Sequence, residues 1–157
     1  MDDLAPPPPL IGLLLRLAYQ QYSNDIQAAL QAAGFHDIRP AHGNVFPFVP
    51  ADGVSVSELA ERARVRKQSM AQAVDQLEHL GYVERRPNPK DRRSRLVFLT
   101  ERGAAVRPVT HAAAARVEES WAGYIGLEVL ETLKTSIQLL LSNLDLSSEQ
   151  DSGPNAR

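Results

Sequence analysis

Leu10, Leu14 and Leu17, followed by Tyr22, Ile26, Ala29, Leu30 and Ala33, return at the three- and four-residue intervals that gather one face of an α-helix. The spacing predicts a first helix over residues 10–33, stopped by Gly34. Apolar positions in "FHDIRPAHGNVFPFVP" predict a second, shorter helix over about residues 42–49, whose later half Pro47 disturbs. Asp52 and Gly53 make a turn. In "SVSELAERA", Ser55 and Glu58 stand three residues apart as a capping box, each satisfying an open amide of a short helix that runs to Ala63. A further helix over about residues 67–80 carries Met70, Val74, Leu77 and Leu80 on one face and ends at Gly81.

The pattern then changes. In "YVERRPNPKDRRSRLVFLT", residues 82–86 and 95–100 favour strand and flank a polar stretch with Pro87, Asn88 and Pro89, which predicts a two-stranded hairpin with a long charged tip. Thr100 is placed to cap the next helix, and helical spacing continues to residue 146. Pro108 is expected to bend or limit the first part, and "AGYIGLE" marks a break. Beyond it Leu130, Leu133, Ile137, Leu140 and Leu144 alternate spacings of three and four, a heptad seam. The ends differ in kind: "MDDLAPPPP" reads as a polyproline lead-in, and residues 147–157 as a flexible polar tail. The expected fold is mainly α with a small β-hairpin. Its parts are a lead-in (1–9), N-terminal helices (10–50), a central lobe (54–103), C-terminal helices (104–146) and the tail.

Two short helices joined by a tight turn form a helix-turn-helix when a small residue stands at their crossing and apolar residues surround it. Ala60 is the small residue, and Leu59, Ala63, Val65, Met70 and Ala73 fill the apolar slots. Arg64 stands where glycine usually supplies the positive φ of the turn. A plain helical hairpin also satisfies this pattern, so the flanking residues matter. With Met70, Val74 and Leu77 inward, Gln68, Gln72, Asp75 and His79 face outward, flanked by Ser69 and Gln76. Glutamine offers adenine a paired donor and acceptor, so Gln68, Ser69, Gln72 and Gln76 are candidate major-groove readers. Arg66 and Lys67 sit at a helix start, where anions are preferred, which suggests that phosphates of a partner supply the missing charge. An exposed polar face is the competing reading.

The hairpin strengthens the nucleic-acid reading. A β-ribbon directly after a helix-turn-helix is a wing, and its tip holds Lys90, Arg92 and Arg93, with Arg95 at the strand entry. Arginine suits narrow minor grooves, where the negative potential is greatest. Lys90 and Arg95 are assigned to phosphates alongside Arg66 and Lys67. Asp91, two residues before Arg93, is expected to orient that guanidinium by a bidentate contact. Charge agrees: residues 54–107 hold 12 Lys and Arg against 7 Asp and Glu, while the whole chain is at −2. A basic middle in an acidic frame suits a polyanion, although an ordinary solvated charged face gives the same count.

The stretch "SVSELAERARVRKQSMAQAVDQLEHLGYVERRPNPKDRRSRLVFLTERG" resembles the winged-helix core of the MarR (multiple antibiotic resistance regulator) transcription factors. "LEHLGYVER" and "DRRSRLVFLTERG" carry most of the resemblance, and the flanking helices follow the family's order over roughly residues 10–146. The resemblance implies a homodimer with interlocked terminal helices, two winged helices on a pseudo-palindromic double-stranded DNA operator, and repression relieved by a small ligand. It implies Asp91 and Arg93 as the wing pair in the minor groove, with Arg92 beside them, and Gln68, Ser69 and Gln72 in the major groove. Arg66 departs from the small hydroxyl residue often found at that cap. An effector crevice is implied between the dimer helices and the DNA-binding lobe, with Tyr22, His42 and Phe46 as candidates for its lining.

Dimerisation is also read from the residues. The seam Leu130, Leu133, Ile137, Leu140 and Leu144, with Leu14 and Leu17 of the first helix, exceeds what a small winged helix needs to cover. An intramolecular helical pair is the alternative. Catalysis is not expected: the four histidines lack metal-ligand spacing, there is no cysteine, and no phosphate-binding or nucleophile-elbow motif occurs. No cofactor, metal or membrane partner is expected, and "LIGLLLRLA" is interrupted by Arg16 and preceded by acids, unlike a secretory signal. A cytoplasmic location is the expectation. A winged-helix module that binds proteins instead of DNA is the alternative function.

Overall fold

Arg64 adopts φ 53° and ψ 41°, the left-handed conformation that the helix-turn-helix demands of a residue with a side chain. It ends α2 (Val56–Ala63): the Val65 amide donates to the Ala60 carbonyl at 3.0 Å and the Arg64 amide to that of Glu61 at 3.1 Å. α3 (Lys67–His79) follows at once and closes the same way, with the Tyr82 amide donating to the Leu77 carbonyl at 2.9 Å around Gly81 (φ 78°). Leu59, Ala60, Met70, Ala73, Val74 and Leu77 are all buried between the two helices and their neighbours, and Ala63 and Val65 pack at the margin.

A computed structural model describes residues 8–150, with backbone alone for residues 145–150. Of the expected lead-in (1–9) and tail (147–157), residues 1–7 and 151–157 lie outside the described residues, and residues 147–150, expected as flexible tail, continue the last helix instead. Two compact units divide the chain, the first reaching to Ala114 and the second starting at Ala115.

In the first unit, α1 (Ile11–Ala32) has two halves. Residues 11–20 are exposed along their whole length, whereas Tyr22, Ile26 and Leu30 turn toward the core. The expected helix over residues 42–49 does not form. Two 3₁₀ turns stand there, Pro40–Asn44 and Phe46–Phe48, because Pro40 and Pro47 each occupy a first-turn position and cannot donate within a continuing α-helix. Val45, Phe46 and Val49 are nonetheless buried, so the apolar spacing reports packing and not helix.

Ser55 caps α2 as expected, accepting from the Glu58 amide at 3.2 Å. The reciprocal half of the capping box is absent: the Glu58 carboxylate pairs with Arg62 at 2.5 Å, one turn along.

β1 (Val83–Asn88) and β2 (Asp91–Leu99) form an antiparallel hairpin whose strands run much further than expected. Pro87 is a paired strand residue opposite Arg95, and the long loop reduces to Pro89 and Lys90. Proline fits because this is a two-stranded ribbon with a free edge. Val54 adds a single bridge to Val97 on the other side, with N–H···O distances of 3.1 and 2.8 Å.

Thr100 Oγ1 accepts from the Gly103 amide at 3.1 Å and starts α4 (Glu101–Ala104). Gly103 has a steric reason: a Cβ there would stand 2.0 Å from the Tyr82 carbonyl oxygen. Pro108 lies in the first turn of α5 (Val106–Ile125), where its missing N–H forfeits no helical bond, so it neither bends nor ends the helix.

The second unit holds the end of α5 and α6 (Leu127–Gln150), separated at Gly126 (φ 87°), within the break expected from "AGYIGLE". Lys134 donates to Glu118 at 2.8 Å and to Glu131 at 3.2 Å. Leu130, expected in the exposed seam, is buried in its own chain at 3% exposure and is already used in intrachain packing.

A candidate nucleic-acid interface

α3 begins without the usual anionic partner. Arg66 holds the cap position in extended backbone, makes no side-chain bond to the first turn, and no acid stands in that turn. The first amides of the helix are therefore open toward an external acceptor. Arg66, Lys67, Gln68, Ser69 and Gln72 are all exposed there. The inward face of the same helix is the buried row Met70, Ala73, Val74 and Leu77, so one packing decision fixes what points outward.

The wing tip is built by short polar side chains. After the pairs Val83 with Leu99 through Pro87 with Arg95, the register jumps to Asn88 with Asp91, so Arg92, Arg93 and Ser94 bulge from the ladder. Asn88 Nδ2 donates to Ser94 Oγ at 3.0 Å, and Asn88 Oδ1 accepts from the Lys90 amide at 2.9 Å. Asp91 Oδ1 accepts from the Arg93 backbone amide at 3.0 Å, and Ser94 Oγ donates to the Asp91 carbonyl at 3.1 Å. The expected grip of Asp91 on the Arg93 guanidinium is thus corrected. The acid shapes the turn that carries Arg93, because a carboxylate reaches its own backbone two residues on more easily than a long side chain bulging away from it.

Charge pairing separates two groups of cations. Arg62, Arg85, Arg86 and Arg102 are each held by a carboxylate. Arg66, Lys67, Lys90, Arg92 and Arg93 take part in no ion pair among the described residues. Arg95 lies between the groups: exposed, but with Nη2 donating to the Arg85 carbonyl across the hairpin at 2.9 Å.

Arg85 ties wing to helix. From β1 it donates to Asp75 at 2.5 Å and to Glu78, both on α3, and its amide donates to Glu78 at 3.2 Å. Burial draws its pKa down, but the hydrogen bonds and charges of Asp75 and Glu78 outweigh that and leave it raised. Sequence reading missed Arg85, Asn88 and Ser94. A signal existed for Arg85: it shares the inward phase of β1 with buried Val83, and Asp75 and Glu78 stand three apart on one helix flank.

A second brace joins this lobe to the chain before it. Buried Tyr82 donates its hydroxyl to Asp37, whose other oxygen accepts from Arg102 at 2.9 Å, while the Arg102 guanidinium lies 4.2 Å from the centre of the Tyr82 ring. Burial and the Asp37 carboxylate push the Tyr82 hydroxyl up to about 12. The bond from Tyr82 lowers Asp37 below the ordinary carboxylate value.

Between α1, the 3₁₀ turns and the start of α5 lies a cavity of about 530 Å³. Tyr19, Tyr22, Ile26, Phe46, Phe48 and His111 are among its lining. Two of the three expected crevice residues, Tyr22 and Phe46, are therefore brought together. His42 is not with them. It is 2% exposed and turns the other way, toward a more open depression bordered by Asp75, Gln76 and His79 of α3. Among the described residues no group of three His, Asp or Glu side chains is placed to hold a metal ion, and no helix is long and apolar enough to cross a membrane.

The dimer-seam residues divide similarly. Leu14 and Leu17 on α1 and Leu133, Leu140 and Leu144 on α6 are 42–53% exposed, Ile137 is half-buried, and Leu130 is covered.

Residues 44–94, which hold α2, α3 and most of the wing, match a model described as "MarR family". The transcriptional activatory protein BadR of Rhodopseudomonas palustris is 30% identical over 103 residues, 66% of this chain and 58% of that protein. The chain thus spans little more than half the length of the curated relatives it matches. Among solved structures, a MarR transcriptional regulator from Methanosarcina mazei Go1 is 26% identical, with TM-score 0.70 over 85% of this chain and 94% of that one. A mutant of MarR from E. coli, complexed with operator DNA, is also 26% identical, with TM-score 0.72 over 83% and 93% of the two chains. The chain thus shares its fold with these MarR regulators, and residues 44–94, across the helix-turn-helix and most of the wing, carry the pattern of the MarR family.

Proposed function

We propose that this protein is a sequence-specific regulator that binds double-stranded operator DNA as a homodimer, with α3 in the major groove and the wing tip in the adjacent minor groove. The observation that carries the reading is the sorting of its cations. Within residues 54–103, Arg66 and Lys67 at the start of α3 and Lys90, Arg92 and Arg93 on the bulged tip take part in no ion pair among the described residues, and these are the two places where a winged helix meets phosphates and a narrow groove. Gln68, Ser69, Gln72 and Gln76 read base edges; Arg66, Lys67, Lys90 and Arg95 take phosphates; Arg92 and Arg93 enter the minor groove beside Asp91.

The exposed leucines of α1 and α6 supply the self-association surface, since so much uncovered apolar side chain is unfavourable in water. Leu14, Leu17, Leu133, Ile137, Leu140 and Leu144 are its proposed members. Residues 54–103 then act as the DNA-binding lobe, with 10–50 and 104–146 as its dimerising frame. The cavity beside Tyr22 and Phe46 is the proposed effector site, and the sign of regulation is repression relieved by that effector. A cytoplasmic location follows from the role, and no catalysis is assigned.

In vitro selection of bound duplexes from a random pool tests this reading. Enrichment of a two-fold-related sequence, its half-sites about one helical turn (~34 Å) apart, is expected. A pool that stays random, or binds only as bulk polyanion, defeats it.

A further inference from the structure

Both ring nitrogens of buried His42 are committed. The Arg39 backbone amide donates to Nδ1 at 3.2 Å. A backbone N–H only donates, so Nδ1 carries no proton and the neutral ring must hold its proton on Nε2. Nε2 lies 2.8 Å from the side-chain oxygen of Gln76 on α3, so the ring donates and the carboxamide oxygen accepts. The backbone thus selects the tautomer, and the tautomer selects which way the Gln76 amide is turned.

Gln76 then differs from its neighbours. Among the described residues the side chains of Gln68 and Gln72 make no hydrogen bond, and each keeps the donor and acceptor that a paired contact to adenine needs. Gln76, also exposed, has its oxygen turned inward to the ring, so its N–H groups are what it presents outward.

We propose that His42 is a positioning residue for DNA recognition: it fixes Gln76 as a one-way donor that meets a hydrogen-bond acceptor on the duplex, a phosphate oxygen or a purine N7. The proposal rests on the DNA-binding reading above and deepens it. It removes Gln76 from the adenine-pairing set.

The test uses the full chain and its selected duplex, with each phosphate in turn replaced by methylphosphonate and each purine by its 7-deaza analogue. The parent should lose about tenfold in affinity at one position per half-site, and Gln76→Ala should lose nothing further there. A methylphosphonate position identifies a phosphate, and a 7-deaza position a purine. His42→Phe should erase most of that sensitivity, because the freed amide turns. Gln76→Glu, which keeps an acceptor for the ring but offers no N–H, should erase it as well, and Gln76→Lys should keep it. The proposal is overturned if His42→Phe, folded by circular dichroism, or Gln76→Glu retains the parent's full sensitivity at that position. A parent that selects no duplex would instead defeat the DNA-binding reading itself.

Discussion

Arg85 of β1 donates to Asp75 on the exposed flank of α3 at 2.5 Å, with the Arg85 side chain 19% exposed and that of Asp75 66%. The bond makes the hairpin and helix one body. It also neutralises an acid on the side proposed to meet phosphates. Arg85→Ala should therefore cost only about 1–3 kcal/mol of stability, as for hydrogen bonds to a charged group, yet weaken operator binding by roughly tenfold or more. Chemical denaturation and a binding titration on one sample check both. Arg85→Lys should restore little, since one ammonium cannot span Asp75 and Glu78 with the guanidinium's fork.

Removing an acid from a DNA-facing surface ordinarily strengthens binding by easing repulsion. At Asp91 the opposite is expected, because its carboxylate accepts from the Arg93 amide and holds the bulge in shape. Asp91→Ala should lower affinity several-fold, about as much as one missing hydrogen bond. Fluorescence anisotropy with the selected duplex measures this, and a gain in affinity would refute the turn-shaping role.

Arg64 carries a left-handed backbone at φ 53° with a full side chain. Glycine has no Cβ to clash there, so Arg64→Gly should be more stable than Arg64→Ala, which equally lacks the guanidinium, by about 1 kcal/mol. The thermal midpoint reports it, and the fold of the wing should be unchanged.

Asp37 lies below its ordinary value of 3.8 because Tyr82 and then Arg102 favour its charged form. A depressed carboxylate contributes stability above its unfolded value, and that contribution is lost as pH falls through the lower folded value. Tyr82→Phe should therefore cost about 1 kcal/mol near neutrality. Its penalty should shrink as the pH drops below 3.8. Paired denaturation curves across that window give the comparison, and a penalty independent of pH would contradict it.

Much of this fold is legible in the chain's own pattern. The inward row of α3, the Ser55 and Thr100 caps and the stop at Gly81 are local features, and each is readable because the responsible residues are neighbours in sequence. The misreadings have separate causes. Residues 42–49 carry helical apolar spacing, but Pro40 and Pro47 prevent continuous α-helix and the spacing records burial instead. The His42–Gln76 bond joins residues 34 apart, and the Arg102–Asp37 bond residues 65 apart. No periodicity announces such pairs. The strands run past their β-prone residues because Asn88, Asp91 and Ser94 close the tip by side-chain bonds that strand propensity does not weigh.

The central claim is that the unpaired cations at the start of α3 and on the wing tip neutralise phosphates. Its most direct measurement is the salt dependence of operator binding for the parent, Lys67→Ala and Lys90→Ala. Each variant should reduce the log–log slope by about 0.9 for every phosphate left without its cation, counted once per subunit, with the base preference unchanged. Slopes equal to the parent's in both variants would mean that these cations touch no phosphate, and that the DNA-binding face lies elsewhere on the molecule.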